Sequence, residues 1–126
     1  MNIALWISQV LLAAAFLMAG AMKLMTAYDE LALEMAWVSR WSAPMVMLIG
    51  LVEVLGALGL ILPSVLRIQP KLTPIAALGL VVTMVLAIVD HLGAGENDMV
   101  MGPTILMVLA LFVAWGRWSK LPILAK

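Results

Sequence analysis

The sequence predicts an all-α integral membrane protein: an antiparallel bundle of four transmembrane helices, with a short amphipathic surface helix between spans one and two. Three observations predict it. Of 126 residues, 66% are hydrophobic and 11% charged, with a mean hydropathy of +1.18. A soluble domain carries about 45–50% apolar and about 25% charged residues. The apolar residues also gather into four continuous runs, each near the ~20 residues that cross a hydrocarbon core as a helix. Finally, these runs do not alternate as the strands of a membrane barrel do. The same composition excludes a disordered chain, and the length suits one domain over residues 1–126.

The expected spans are residues 3–25, 43–62, 72–91 and 99–118. The first has no charge before Lys23, the second holds only Glu53, the third none before Asp90, and the fourth none before Arg117. Ser42 and Pro44 suit the start of the second helix. Thr73 as N-cap with Pro74 at the first helical position suits the third. Pro63 is expected to stop the second helix, and Gly93 and Gly95 to end the third. Pro103 lies at the first turn of the fourth. Ala19-Gly20-Ala21 mimics a signal-peptidase site, but no Lys or Arg precedes a run that is long for a signal peptide, so the first span is expected to stay uncleaved.

Residues 26–41 connect spans one and two. Leu31, Met35 and Val38 recur at helical spacing while Glu30 and Glu34 share another face, which predicts a helix lying on the membrane surface. A plain polar loop is the alternative. Helices in lipid pack through small residues, and Ala15 with Ala19, Gly56 with Gly59, Ala76 with Gly79, and Ala110 with Ala114 offer such faces.

Several function classes drop out. The chain has no cysteine and so no thiol redox chemistry or thiolate metal site. Seven basic residues balance seven acidic ones, and with no basic run nothing points to nucleic acid. There is no phosphate-binding Gly-rich loop, and a single His cannot make a zinc pair. Eleven Met suggest copper(I), but Met is also an apolar filler, and no metal site is expected.

Four spans put both termini on one side. Arg67, Lys71, Arg117, Lys120 and Lys126 fall there; Asp29, Glu30, Glu34, Glu96 and Asp98 fall opposite, with Arg40 and the borderline Lys23. The positive-inside rule then places both termini in the cytoplasm. Trp6, Trp37, Trp41, Trp115 and Trp118 all sit near expected interfaces.

Ionisable groups within spans are costly and mark sites. Glu53 is about 13–15 Å below the outer end of its helix and Lys23 about 4–5 Å below the end of its own, at 1.5 Å per residue. Asp90 and His91 lie near the outer end of the third. Lys23 could instead snorkel outward, Asp90 and His91 could be interfacial helix-end residues, and Glu53 could be interhelical glue. The functional reading is a ligand or proton site built on Glu53, Lys23 and His91, with Asp90 as a secondary candidate.

Phe16, Gly20 and Lys23-Leu24 close the first span. Ile49-Gly50, Glu53, Gly56-Ala57 and the run from Gly59 to Pro63 fill the second. Thr73-Pro74, Ala76-Ala77 and Gly79-Leu80 open the third; His91 and Gly95-Glu96 follow, and the run from Val113 to Arg117 ends the fourth. This string resembles the DoxX-like family of small four-span membrane proteins over nearly the whole chain. The resemblance implies similarity to the membrane subunit of a thiosulfate:quinone oxidoreductase and to proteins that accompany redox-stress or copper-peptide systems. By position it marks Lys23, Glu53, His91 and Arg117 as the family-like polar residues. Where an amide residue is expected near the start of span four, Gly102-Pro103-Thr104 stands instead.

Two functions follow as expectations. One is a redox-linked subunit binding a quinone or other lipophilic ligand near Glu53, with no cofactor held by the chain itself and electrons supplied by a partner oxidoreductase. The other is a non-catalytic scaffold or assembly factor for a partner membrane protein. A proton path ranks last, because no second acid lies below Glu53. Membrane lipid is an expected partner and a homodimer a candidate one. The expected location is a bacterial inner membrane or a plasma membrane.

Overall fold

A computed structural model describes residues 1–125, which are mostly helical with no strand among them; Lys126, counted above with the basic residues of the terminal side, lies outside the described residues. Four helices are long and apolar enough to cross a membrane. The first is α1 (Asn2–Met25). A short helix, α2 (Tyr28–Glu34), and a 3-10 turn (Ala36–Arg40) follow it. Then come α3 (Ala43–Leu66) and α4 (Leu72–Gly93). The last span (Asn97–Lys120) comprises a 3-10 turn, α5 (Met101–Trp115) and a closing π-turn (Gly116–Lys120). At 1.5 Å per residue the 24 residues of α1 or α3 reach about 36 Å, enough for a ~30 Å hydrocarbon core.

The helices form a closed ring. α1 packs on α3, α3 on α4, α4 on α5, and α5 returns to α1. Leu12 and Phe16 of α1, Leu60 of α3, Leu80 of α4 and Val113 of α5 fill its centre. Ile3, Ile7, Val10, Leu55, Val82 and Leu111, among others, point outward, the apolar belt that lipid requires.

Small residues set the closest approaches, though not all at the expected places. A methyl group added at Gly56 would meet the Leu80 side chain, and one at Gly59 would lie 2.7 Å from Ala76 Cβ, so these glycines make room for α4 side chains against α3 in the half of the bundle next to the termini. Gly79, by contrast, has nothing within 4 Å of its added Cβ and faces outward. The tightest crossing of α1 on α3 is at Gly20 and Gly50, where a Cβ on Gly20 would sit 2.6 Å from the Gly50 carbonyl oxygen.

Pro63 does not end its helix, contrary to expectation. It sits inside α3, which continues to Leu66 and stops at Arg67 in the left-handed conformation (φ 56°). A helical proline frees the carbonyl four residues back, here Gly59, and the Thr73 hydroxyl donates to that oxygen at 3.0 Å. Thr73 is therefore not an N-cap: α4 begins at Leu72 with Lys71 before it, and the Thr73 side chain serves the neighbouring helix. Ser42 does cap α3, accepting from Met45 N–H at 3.4 Å.

Residues 26–41 are helical as expected, but in two pieces. The chain bends at Met35 (φ −128°, ψ 106°), which lets both Leu31 and Val38 turn inward against Val46. The Tyr28 hydroxyl pins the pieces together, 2.6 Å from the Trp41 carbonyl and 3.1 Å from that of Val38.

Candidate functional site

The Gly20–Gly50 crossing builds the site. A Cβ on Gly50 would lie 2.7 Å from Lys23 Cβ, so only glycine there lets the lysine stem pass along α3. Side chains lean toward the N-terminus of their own helix. α1 and α3 are antiparallel, so Lys23 leans into the membrane while Glu53 leans out of it, and the two converge. Lys23 Nζ lies 2.7 Å from Glu53 Oε1, with both side chains buried. The lysine does not snorkel outward. Its Nζ also donates to the Ala19 carbonyl at 3.4 Å and sits 5.6 Å from the centre of the Trp37 ring. Lys23 is the one polar group found against the Glu53 carboxylate among the described residues.

Above this pair is a cavity of about 430 Å³ between α3, α4 and α5, within the ~300–1,000 Å³ of ligand pockets. Lys23, Glu53, Asp90 and His91 all border it, and its remaining lining is mainly apolar. Leu48 and Val52 on α3 and Leu86 on α4 line it yet are exposed, so the gap between these helices opens toward lipid. α5 adds Gly102, Pro103 and Leu106: the position expected to hold an amide contributes no polar side chain.

The roof is a latched loop. Trp37 and Trp41 line the cavity from above. Between them Arg40 NH2 donates to Asp90 at 2.6 Å and to Glu96 at 2.7 Å, while Trp41 Nε1 donates to Asp90 at 3.2 Å. His91 Nδ1 lies 2.9 Å from the same Glu96 oxygen, so the ring proton is on Nδ1 and Nε2 is free to accept when the ring is neutral. The hydrogen bond to Asp90, then that to Glu96, raises the Arg40 pKa further above its ordinary value. The Glu96 carboxyl is held below the usual glutamate range, first by Arg40 and then by His91. Asp90 and His91 thus belong to the roof, one face of the cavity away from the Lys23–Glu53 pair.

Arg117 is not part of this site. It lies at the terminal end, where Nε donates to Gln9 at 2.6 Å, NH1 donates to Asn2 at 2.8 Å and to the Leu121 carbonyl at 2.9 Å, and the guanidinium stacks 5.4 Å from the Trp6 ring. Gln9 passes the connection on, donating to the Leu60 carbonyl at 2.7 Å and to Ser64, whose hydroxyl is 2.7 Å from that of Thr73. Sequence reasoning missed Gln9 and Ser64; the available signal was an uncharged polar residue inside a span, which usually bonds across helices. It also missed Arg40 as a latch, although Arg40 is the one basic residue of the acidic loops. Among the described residues no three His, Cys, Asp or Glu side chains converge as a metal site needs.

Four membrane-length helices around an internal polar pair define an α-helical integral membrane protein with a pocket in one half of its bundle. A model of the DoxX-like family matches residues 7–113 of the 126, and the chain belongs to that family. No curated protein and no solved structure matches it.

Proposed function

We propose that the protein binds a lipophilic ligand with a polar head, of the quinone class, in the cavity above Lys23 and Glu53, as the membrane subunit of a redox system whose electrons come from a partner protein. One observation carries this reading: an apolar cavity with a lateral opening toward lipid ends on a buried pair of opposite charges. A purely structural ion pair gains nothing from such a space beside it. A head group reaching the floor would meet the Lys23 ammonium as donor and the Glu53 carboxylate as acceptor, the two groups that can hold both forms of a redox-active ring. The chain has no cysteine and so no thiol chemistry, and the part read for it here is to bind and orient. We also place both termini in the cytoplasm: Arg67, Lys71, Arg117 and Lys120 lie on the terminal side, and the acids of the loops lie on the other.

The test is binding of short-chain quinone analogues to purified protein in lipid nanodiscs, with native mass spectrometry for a retained ligand. The expected result is saturable binding, with the reduced, hydroxylated forms of these analogues weakened about tenfold or more in Glu53→Gln, as for loss of a charged hydrogen-bond acceptor. Absence of binding, or binding untouched by Glu53→Gln, refutes the reading and favours a scaffold that docks a partner protein.

A further inference from the structure

Which functional group the ligand brings to the floor follows from the hydrogen bonds the site lacks. An ionised carboxylate only accepts, with about four lone-pair sites. Glu53 borders the cavity, is 4% exposed, and has Lys23 as its one polar neighbour among the described residues. The neighbouring donors are already committed. Thr83 donates to the Gly79 carbonyl at 3.0 Å, Trp41 Nε1 donates to Asp90, and His91 Nδ1 faces Glu96. Lys23, 2.7 Å from Oε1, compensates the charge and takes one of these sites, leaving the others open. The missing partner is therefore a donor, and the ligand must carry it. The roof adds a second requirement, because Trp37 and Trp41 present aromatic surface to the same cavity, which favours a flat ring by offset or edge-to-face contact.

We propose that the preferred ligand is a hydroxylated aromatic ring, a phenol or hydroquinone, that donates its O–H to the Glu53 carboxylate, and that the same ring without that proton binds more weakly. This rests on the cavity being a ligand site and specifies its chemistry. The proton stays on the ligand oxygen and no bond is made or broken. For a quinone couple the reduced form is then held more tightly than the oxidised one. A tenfold preference raises the potential of the bound two-electron couple by about 30 mV.

Two matched probes test it on the full chain in phosphatidylcholine nanodiscs: a 4-alkylphenol and its O-methyl ether, each corrected for partition into protein-free discs. The ether is the more lipophilic, so any general greasiness of the cavity favours it. The expected result is a phenol bound about tenfold more tightly, with the difference falling below about threefold in Glu53→Gln. Equal affinity, or a tighter ether, overturns the donor requirement while leaving the cavity a ligand site. Binding of neither probe above protein-free discs overturns both. A tenfold preference that survives in folded Glu53→Gln assigns the donor contact elsewhere and also overturns the inference. Should that variant not fold, the two probes on the unmodified protein decide the matter.

Discussion

Replacing Gly20 with alanine attacks the contact on which the site is built. The new Cβ would lie 2.6 Å from the Gly50 carbonyl oxygen and 2.9 Å from Val54 N. Both are backbone atoms and cannot rotate away. Restoring an ordinary 3.4 Å contact to the oxygen requires α1 and α3 to part by about 0.8 Å. Overpacking of this kind costs about 1–3 kcal/mol, and alanine's better helix propensity returns at most about 1 kcal/mol. With the full return the net expectation is a protein up to about 2 kcal/mol less stable. The same movement stretches the Lys23–Glu53 contact from 2.7 Å toward about 3.5 Å, so ligand affinity should fall with stability. Gly79→Ala is the control, because its Cβ meets nothing within 4 Å; it should be neutral or slightly stabilising. Unfolding in mixed dodecylmaltoside–SDS micelles, followed by circular dichroism, measures both. A Gly20→Ala protein as stable as Gly79→Ala would refute the close crossing and the account of how Lys23 reaches Glu53.

Three further outcomes are expected. Lys23→Met leaves a buried carboxylate without its counter-charge and should destabilise by about 3–5 kcal/mol; adding Glu53→Leu should recover most of that in the same micelle assay, and a double variant no better than the single would count against a buried pair. Thr73→Val should cost about 1–2 kcal/mol by orphaning the Gly59 carbonyl. That cost should shrink when Pro63→Ala restores an intrahelical donor, so additive effects would argue against the link between the two helices. The roof should open in acid. Glu96 has a lowered pKa, so its contribution is complete above the ordinary glutamate value of about 4.3 and is lost as pH falls through the lower folded value; acrylamide quenching of tryptophan should rise in that window, and Arg40→Gln should abolish the step.

Much of the architecture could be read from residue order alone, because a membrane core imposes simple demands. Every backbone group must be bonded within its own segment, so four apolar runs of the right length are four helices. Lys23, Glu53, Asp90 and His91 stood out for a related reason: charge in hydrocarbon is costly unless it is answered. That they border one cavity was suggested by their shared position toward one end of the spans.

What the sequence could not decide was who answers whom. Lys23 as a snorkelling residue and Lys23 as a buried partner have the same local sequence. The choice depends on how closely α1 and α3 approach, and that depends on Gly20 and Gly50 meeting across 30 positions of chain. Pro63 reads as a stop signal locally, yet Thr73 on another helix repairs the carbonyl it frees, so the helix continues. Gly79 looks like a packing residue by composition and faces outward. Apolar length and charge are properties of a segment and can be summed along it. Pairing, cavity and latch are set by distances of a few ångströms between segments, which only the packed bundle determines.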